Sequence, residues 1–341
     1  MNGSSVMKYL FKEAPVMKKM LAMLLVLVLV LSLSCTAALA EDVPYIGIIQ
    51  QMEHVALDQA REGFIQALKD KGYEDGVNVK INYQNGQGDA ANLATIADQF
   101  VGDQADLVLA IATNAATTMA SKTETIPILG TAITDYATAA LVESNEKPGY
   151  NISGTSDMNP VEGQIALIHE LFPDAKTIGV LYTSSEPNSV LQAKMAKAAI
   201  EALNLTYVEV TVTNTNDVQQ ATQQIVGQCD AIYIPTDNVF ASSMPIVYGV
   251  VAESKTPVIP GESGMVMAGG LCTLGLQYYD LGYQTGLMAV DVLGGADVST
   301  MPIQFANNGY TYTFNKTMAD EIGFEIPEKY LEYAQEMTVA E

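Results

Sequence analysis

Cations are scarce in this chain. Its 341 residues hold 16 Lys and Arg against 39 Asp and Glu, a formal net charge of −23 at pH 7. Such a surface repels phosphate backbones, which argues against nucleic acid as a partner. Histidine occurs twice and cysteine three times. His54 and His169 stand far from each other and from the cysteines, so no metal-ligand spacing is present. Cys229 and Cys272 either pair or remain two buried thiols, and their spacing does not choose between these. No GxGxxG follows the first predicted strand and no Walker sequence occurs, which disfavours a nucleotide cofactor. No Ser/His/Asp grouping shows along the sequence. Past the N-terminal segment, no apolar run is long enough to span a bilayer.

That N-terminal segment reads as an export signal over residues 1–40. Lys18 and Lys19 precede an apolar run over 20–33, and Ala38-Leu39-Ala40 fits a small-x-small cleavage site. Residues 1–16 read as lying upstream of the true start, with Met17 the more natural initiator. Cys35 offers a competing reading, in which LSLSC is a lipoprotein box and Cys35 is acylated. Removing residues 1–40 takes away Lys8, Lys12, Lys18, Lys19 and Glu13 and leaves 12 basic against 38 acidic residues, net −26.

What remains is rich in alternating elements. A chain this long exceeds one typical core, so two domains are expected. Hydrophobic content of 49% with 16% charged residues is that of a globular protein. Strands are predicted at Tyr45–Gln50, 77–83, Leu107–Ile111 and 126–129, with helices over 57–71 and 89–101 between them. The order recurs with strands at 178–182, 207–212, Ala231–Ile234 and 257–259, and helices over 189–203 and 217–228. Strands alternating with helices mean parallel βαβ units. The stretch from Asp106 aligns without a gap on the stretch from Asp230, placing Thr113-Asn114 on Asp237-Asn238. The chain thus reads as two copies of one α/β unit. Residues 149–160, rich in Gly, Asn, Ser and Pro, read as a crossover. Late elements at 271–278, 279–293, 302–305, 310–315 and 318–333 let the chain cross between domains more than once. The expected domains are 43–156 with 276–303, and 157–275 with 304–330, joined by a multi-strand hinge.

In open parallel sheets ligands bind beyond the carboxyl ends of the strands. That places loops 51–54, 85–89, 113–117 and 134–135 at one rim and 182–189, 236–240 and 262–264 at the other. These loops carry hydroxyls, amides and a few carboxylates, with almost no Lys or Arg. A phosphate or dicarboxylate finds no cationic cradle there. The helix start at Thr113, Asn114 and Thr117 can hold a carboxylate through free N–H groups, or is a plain N-cap. Thr134 and Asp135 lie nearby. Asp237, beside Asn238, can accept an ammonium group, helped by Asn188, Ser189 or Glu262, or is itself an N-cap. Together these suit an α-amino acid. His54 either lines the pocket or is solvated, and His169 reads as a surface or packed residue. Glu186 and Glu262 are candidate acids or bases, against the plainer reading of solvated carboxylates. Tyr182, Tyr278 and Tyr279 either stack on a ligand or pack at the hinge.

At HVALDQAREGF, NGQGD, TNAATT, AITDYATAALV, NISGTSD, LYTSSEPNS, DAIYIPTDN, AGGLCTLGLQYYDLG and IPEKY the sequence resembles the substrate-binding proteins of ABC transporters, in particular the family associated with tryptophan or tyrosine uptake. The likeness covers about 43–327. It implies two Rossmann-like lobes in an α/β, type I periplasmic-binding-protein fold, a small ligand held by lobe closure, no catalysis and no cofactor. It also implies permease and ATPase partner subunits. The exported protein is expected to be a monomer, meeting the membrane only if Cys35 is acylated. The sequence departs from the family pattern at His54-Val55 and Thr113-Asn114, where His-Pro and Thr-Pro are expected. Two further readings stand beside it, a ligand sensor for a membrane receptor and an extracellular hydrolase using Glu186 or Glu262. A ligand-binding repressor core is disfavoured, because residues 1–40 form an export signal and not a helix-turn-helix.

Overall fold

The computed structural model describes residues 43–337. The expected export segment, its expected cleavage site and Cys35 lie outside the described residues.

The first half builds β1 (Tyr45–Gln50), α1 (Val55–Asp70), β2 (Lys80–Asn85), α2 (Ala90–Gly102), β3 (Leu107–Ile111), α3 (Thr113–Ala120), β4 (Ile128–Ile133) and β5 (Ile152–Ser156). β1 is buried along its length because β2 and β3 flank it and helices cover both faces, and Ile46, Ile48 and Ile49 are fully buried. α1 turns Ala56, Leu57, Ala60, Phe64, Ala67 and Leu68 to the core. Asp89 caps α2 as expected, accepting from the Ala91 and Asn92 amides.

The second half repeats the plan with α4 (Val161–Leu171), β6 (Thr177–Thr183), α5 (Pro187–Ala202), β7 (Thr206–Val212), α6 (Val218–Val226), β8 (Ala231–Ile234), α7 (Asn238–Ser254), β9 (Val258–Pro260), α8 (Ser263–Met267) and β10 (Cys272–Gly275). The chain ends in α9 (Tyr278–Leu293), β11 (Gln304–Phe305), β12 (Thr311–Asn315), α10 (Lys316–Ile322) and β13 (Ala334–Gln335).

Two parallel sheets result. One runs β2-β1-β3-β4-β5-β11 and the other β7-β6-β8-β9, so the first four strands of each unit take the same spatial order. The repeat extends to hydrogen bonds. Asp106 accepts from the Tyr45 amide at 2.7 Å, and Asp230 accepts from the Thr177 amide at 2.9 Å. Each Asp thus ties the strand it precedes to the first strand of its own unit. A small third sheet, β10-β12-β13, has β10 and β12 antiparallel. One apolar core lies around the four-stranded sheet, and two cover the faces of the six-stranded one. The architecture is the expected α/β one, with the chain passing between the sheets at 157–160, 276–277 and 306–310.

Two departures from the sequence reading matter. Residues 149–160 are not all crossover, because β5 lies within them, buried between β4 and β11. Its small polar side chains hid it. Thr155 meets Thr131 and Thr285 through hydroxyls at 3.1 and 2.7 Å, Ser153 donates to the Met301 carbonyl and Ser156 to that of Thr134. Such a strand is buried without an apolar pattern because every hydroxyl finds a partner. Next, β11 pairs with β5, which puts 304–305 with the first sheet. The helix α9 packs on α1 so closely that a Cβ at Gly282 would overlap the Ala60 carbonyl. Cys229 and Cys272 are both free thiols.

Candidate functional site

The carboxyl ends of the two sheets face each other, and side chains bridge the gap. Gln51, just after β1, donates its amide to Glu186 at 2.9 Å. His54 Nε2 lies 3.1 Å from Asn238 Oδ1. Gln192 reaches the Thr134 hydroxyl at 3.4 Å. Between these bridges lies a small cavity of about 10 Å³, lined by His54, Leu57, Ala132, Asp157, Asn188, Thr236, Asp237, Asn238, Ala241, Glu262 and Tyr278. No Lys or Arg is among them.

His54 is the N-cap residue of α1, its backbone extended and its ring free to point across. An amide oxygen only accepts, so Nε2 carries a proton, here that of a neutral ring. Burial keeps it so, pulling its pKa down to about 4.

The second-sheet carboxylates cap helices. Asp237 is the N-cap of α7 and accepts from the Phe240 amide at 3.0 Å and from the Thr183 amide and hydroxyl at 2.6 and 2.8 Å. Glu262 caps α8 through the Gly264 and Met265 amides. Glu186 precedes α5 and accepts from Gln51, from the Asn238 amide and side chain at 3.0 and 2.8 Å, and more weakly from Asn188 and Ser189. Burial pushes Glu186 and Glu262 up to about 7, and the neighbouring Asp237 charge adds to the rise at Glu186.

Two lining acceptors stand apart. Asp157 follows β5 directly and is 2% exposed. Its Oδ2 accepts from the Tyr278 hydroxyl at 2.7 Å, while Oδ1 is buried without a partner. Burial raises its pKa. Asn188 donates to the Thr236 carbonyl at 2.9 Å, and its Oδ1 is also buried without a partner. Both oxygens belong to residues that line the cavity.

Of the residues picked from sequence, His54, Asn188, Asp237, Asn238 and Glu262 come together here. Thr113, Asn114, Thr117, Thr134, Asp135, Tyr182 and Ser189 lie outside the lining. Thr113 begins α3, whose N-cap Ala112 supplies no side-chain cap, and its buried hydroxyl lacks a partner. Thr117 bonds back to the Asn114 carbonyl at 3.2 Å. Asp135 caps a local turn at the Thr138 amide. Tyr182 points to Glu209 on β7, and Tyr279 is partly exposed on α9. The ungapped alignment slips by one at the helix starts, since Asp237 and Ala112 are the two N-caps. Asp157 escaped the sequence reading because β5 did. Among the described residues, no three of His, Cys, Asp and Glu are grouped to hold a metal ion.

Comparison with known proteins places this geometry. The sequence profile for ABC transporter substrate binding proteins matches residues 45–338. A tyrosine-binding protein of Clostridioides difficile (strain R20291) is 45% identical over 258 residues, 76% of this chain and 75% of that one. An ABC domain from Streptococcus pneumonia, solved in complex with L-Trp, is 40% identical with a TM-score of 0.82, covering 86% of this chain and 99% of that one. A substrate-binding protein with adhesive properties from Clostridium difficile, solved ligand-free and open, is 42% identical with a TM-score of 0.67, covering 87% and 100%.

Proposed function

The chain belongs to the ABC transporter substrate-binding protein family, and we propose that it captures a zwitterionic amino acid, aromatic by preference, for an ABC importer outside the cytoplasm. The lobes are residues 43–156 with 276–305, and 157–275 with 306–330. They close on the ligand, and the closed form is what the permease and its ATPase receive.

The observation that carries this reading is the pair of unpartnered acceptors, Asp157 Oδ1 and Asn188 Oδ1. A buried acceptor with no donor costs free energy, and an ammonium group supplies three donors at once. Asp157 directly follows β5 of the first sheet and Asn188 lies on α5 beside the second, so a single ammonium meets both only when the two sheets are close. The ligand carboxylate then goes to the start of α3. There the N–H groups are uncapped, the Thr113 hydroxyl is free to donate, and the Ala112 amide bonds to the Thr131 carbonyl beside the lining residue Ala132. Leu57, Ala132, Ala241 and Tyr278 form the apolar part of the wall. The ligand names of two relatives, tyrosine and L-Trp, support an aromatic side chain. Closure is supported by the greater likeness to the L-Trp complex than to the open protein, at similar identity.

The roles of Glu186, Asp237 and Glu262 are structural in this reading, since helix N-termini and cross-gap amides occupy their oxygens. Calorimetry with the twenty amino acids tests the proposal. Binding of L-tyrosine or L-tryptophan, with a smaller radius of gyration on binding, supports it. No binding of any amino acid rejects it.

A further inference from the structure

Arg61 is the one arginine in the 341 residues. It does not line the cavity, yet it sits at the base of the loop that bridges the gap. Its Nη1 donates to Gln50 Oε1 and to Asp58 Oδ1, both at 2.8 Å, and its guanidinium lies over the Tyr83 ring, 4.3 Å from the centroid. Gln50, the last residue of β1, is fully buried. Its Nε2 donates to the Met52 carbonyl at 2.8 Å and to Asp58 Oδ1 at 2.9 Å.

These bonds fix one orientation. A guanidinium only donates, so the Gln50 oxygen faces Arg61, and the amide nitrogen is left to hold the Met52 carbonyl. Met52 lies between Gln51 and His54, the two residues of this loop that reach across to Glu186 and Asn238. Other bonds hold the ends of the loop. The Gln51 amide donates to the Ile111 carbonyl, Gly88 donates to the Gln51 carbonyl, and Asp58 donates its amide to the His54 carbonyl. The middle of the loop is tied through Gln50.

We propose that Arg61 is a positioning residue that sets ligand affinity from outside the cavity, by locking the Gln50 amide that holds the Gln51–His54 loop in its bridging shape. This inference rests on the amino-acid-capture reading above. Arg61→Met removes the lock and Arg61→Lys keeps the charge and a donor toward Gln50. Hydrogen–deuterium exchange of the ligand-free protein reads the loop, and calorimetry with L-tyrosine reads affinity. In Arg61→Met, exchange rises in peptides covering 51–58, and Kd rises roughly tenfold, as when the competent loop shape falls to about a tenth of the population. Arg61→Lys recovers part of both. Combined with Gln51→Ala, the loss is smaller than the product of the two single losses, because both act through one loop. Unchanged exchange at 51–58 overturns the proposal, as does a loss fully multiplicative with Gln51→Ala. If the wild-type protein binds no amino acid, the functional reading fails on its own account. The exchange result in Arg61→Met then decides the proposal, raised exchange supporting it and unchanged exchange rejecting it.

Discussion

The amide nitrogen of Gln51 lies 2.9 Å from a carboxylate oxygen of Glu186, 135 residues along the chain and on the other sheet. Both side chains are buried, and neither lines the cavity. The contact therefore ties the two sides of the gap together without forming part of the cavity wall. Gln51→Ala removes it without touching the cavity wall. A hydrogen bond to a buried charged group contributes about 1.5–3 kcal/mol, so affinity for an amino acid falls roughly ten- to hundredfold. Stopped-flow binding should place most of the change in the dissociation rate, and scattering should show a more open ligand-free protein.

Asp237 and Asp157 separate structure from binding. Asp237→Ala removes the N-cap of α7 and the tie to Thr183, and it lowers thermal stability by about 2 kcal/mol. Asp157→Asn keeps the shape and the Tyr278 contact, and stability is held or raised because a buried charge disappears. Thermal denaturation of both ligand-free variants checks the contrast. Equal melting-temperature losses in the two would contradict it.

Stability and affinity should respond to pH in opposite directions. Glu186 and Glu262 titrate near 7 in the folded protein, against an ordinary value of 4.5. Between these values the folded chain holds more protons than the unfolded one, so stability increases as pH falls through that window and is lost as pH rises through about 7. Each group contributes on the order of 1–3 kcal/mol. Relief of the −23 net charge acts in the same direction. The ligand-free melting temperature should be higher at pH 6.5 than at pH 8, above the range where His54, held near 4 by burial, opposes the trend, and Glu262→Gln should flatten part of the slope. Affinity runs the other way. The Asp157 carboxylate must be ionised to hold an ammonium, and burial raises its pKa, so binding weakens on acidification sooner than at an ordinary aspartate.

Helix α9 lies against α1 with no room for a side chain at Gly282. Gly282→Ala forces the helices apart and lowers stability by about 2 kcal/mol or more. Unchanged chemical denaturation would show that the contact is looser than described.

Much of this was legible from the chain alone. The β1 run and the α1 periodicity announce a parallel α/β unit, and the Asp106 and Asp230 matches announce its copy. The loops at the carboxyl strand ends directed attention to His54, Asn188, Asp237, Asn238 and Glu262, which do line the cavity. What stayed hidden was hidden for physical reasons. The strand β5 is built from Ser, Gly and Thr whose hydroxyls are satisfied internally, so it gives no apolar signal, and Asp157 at its end went unremarked. A carboxylate after a Gly-Thr-Ser run was the one available clue. Asp237 carries two readings in the sequence because a helix cap and a ligand site share residue types, and in the structure three donors fill the cap role.

The central claim is that Asp157 receives the ligand's ammonium group, and titrating L-tyrosine into wild-type protein and into Asp157→Asn tests it most directly. The account predicts a Kd at least about a hundredfold higher in the variant, since the buried carboxylate that meets the ammonium charge is gone. The same affinity in both proteins would contradict it.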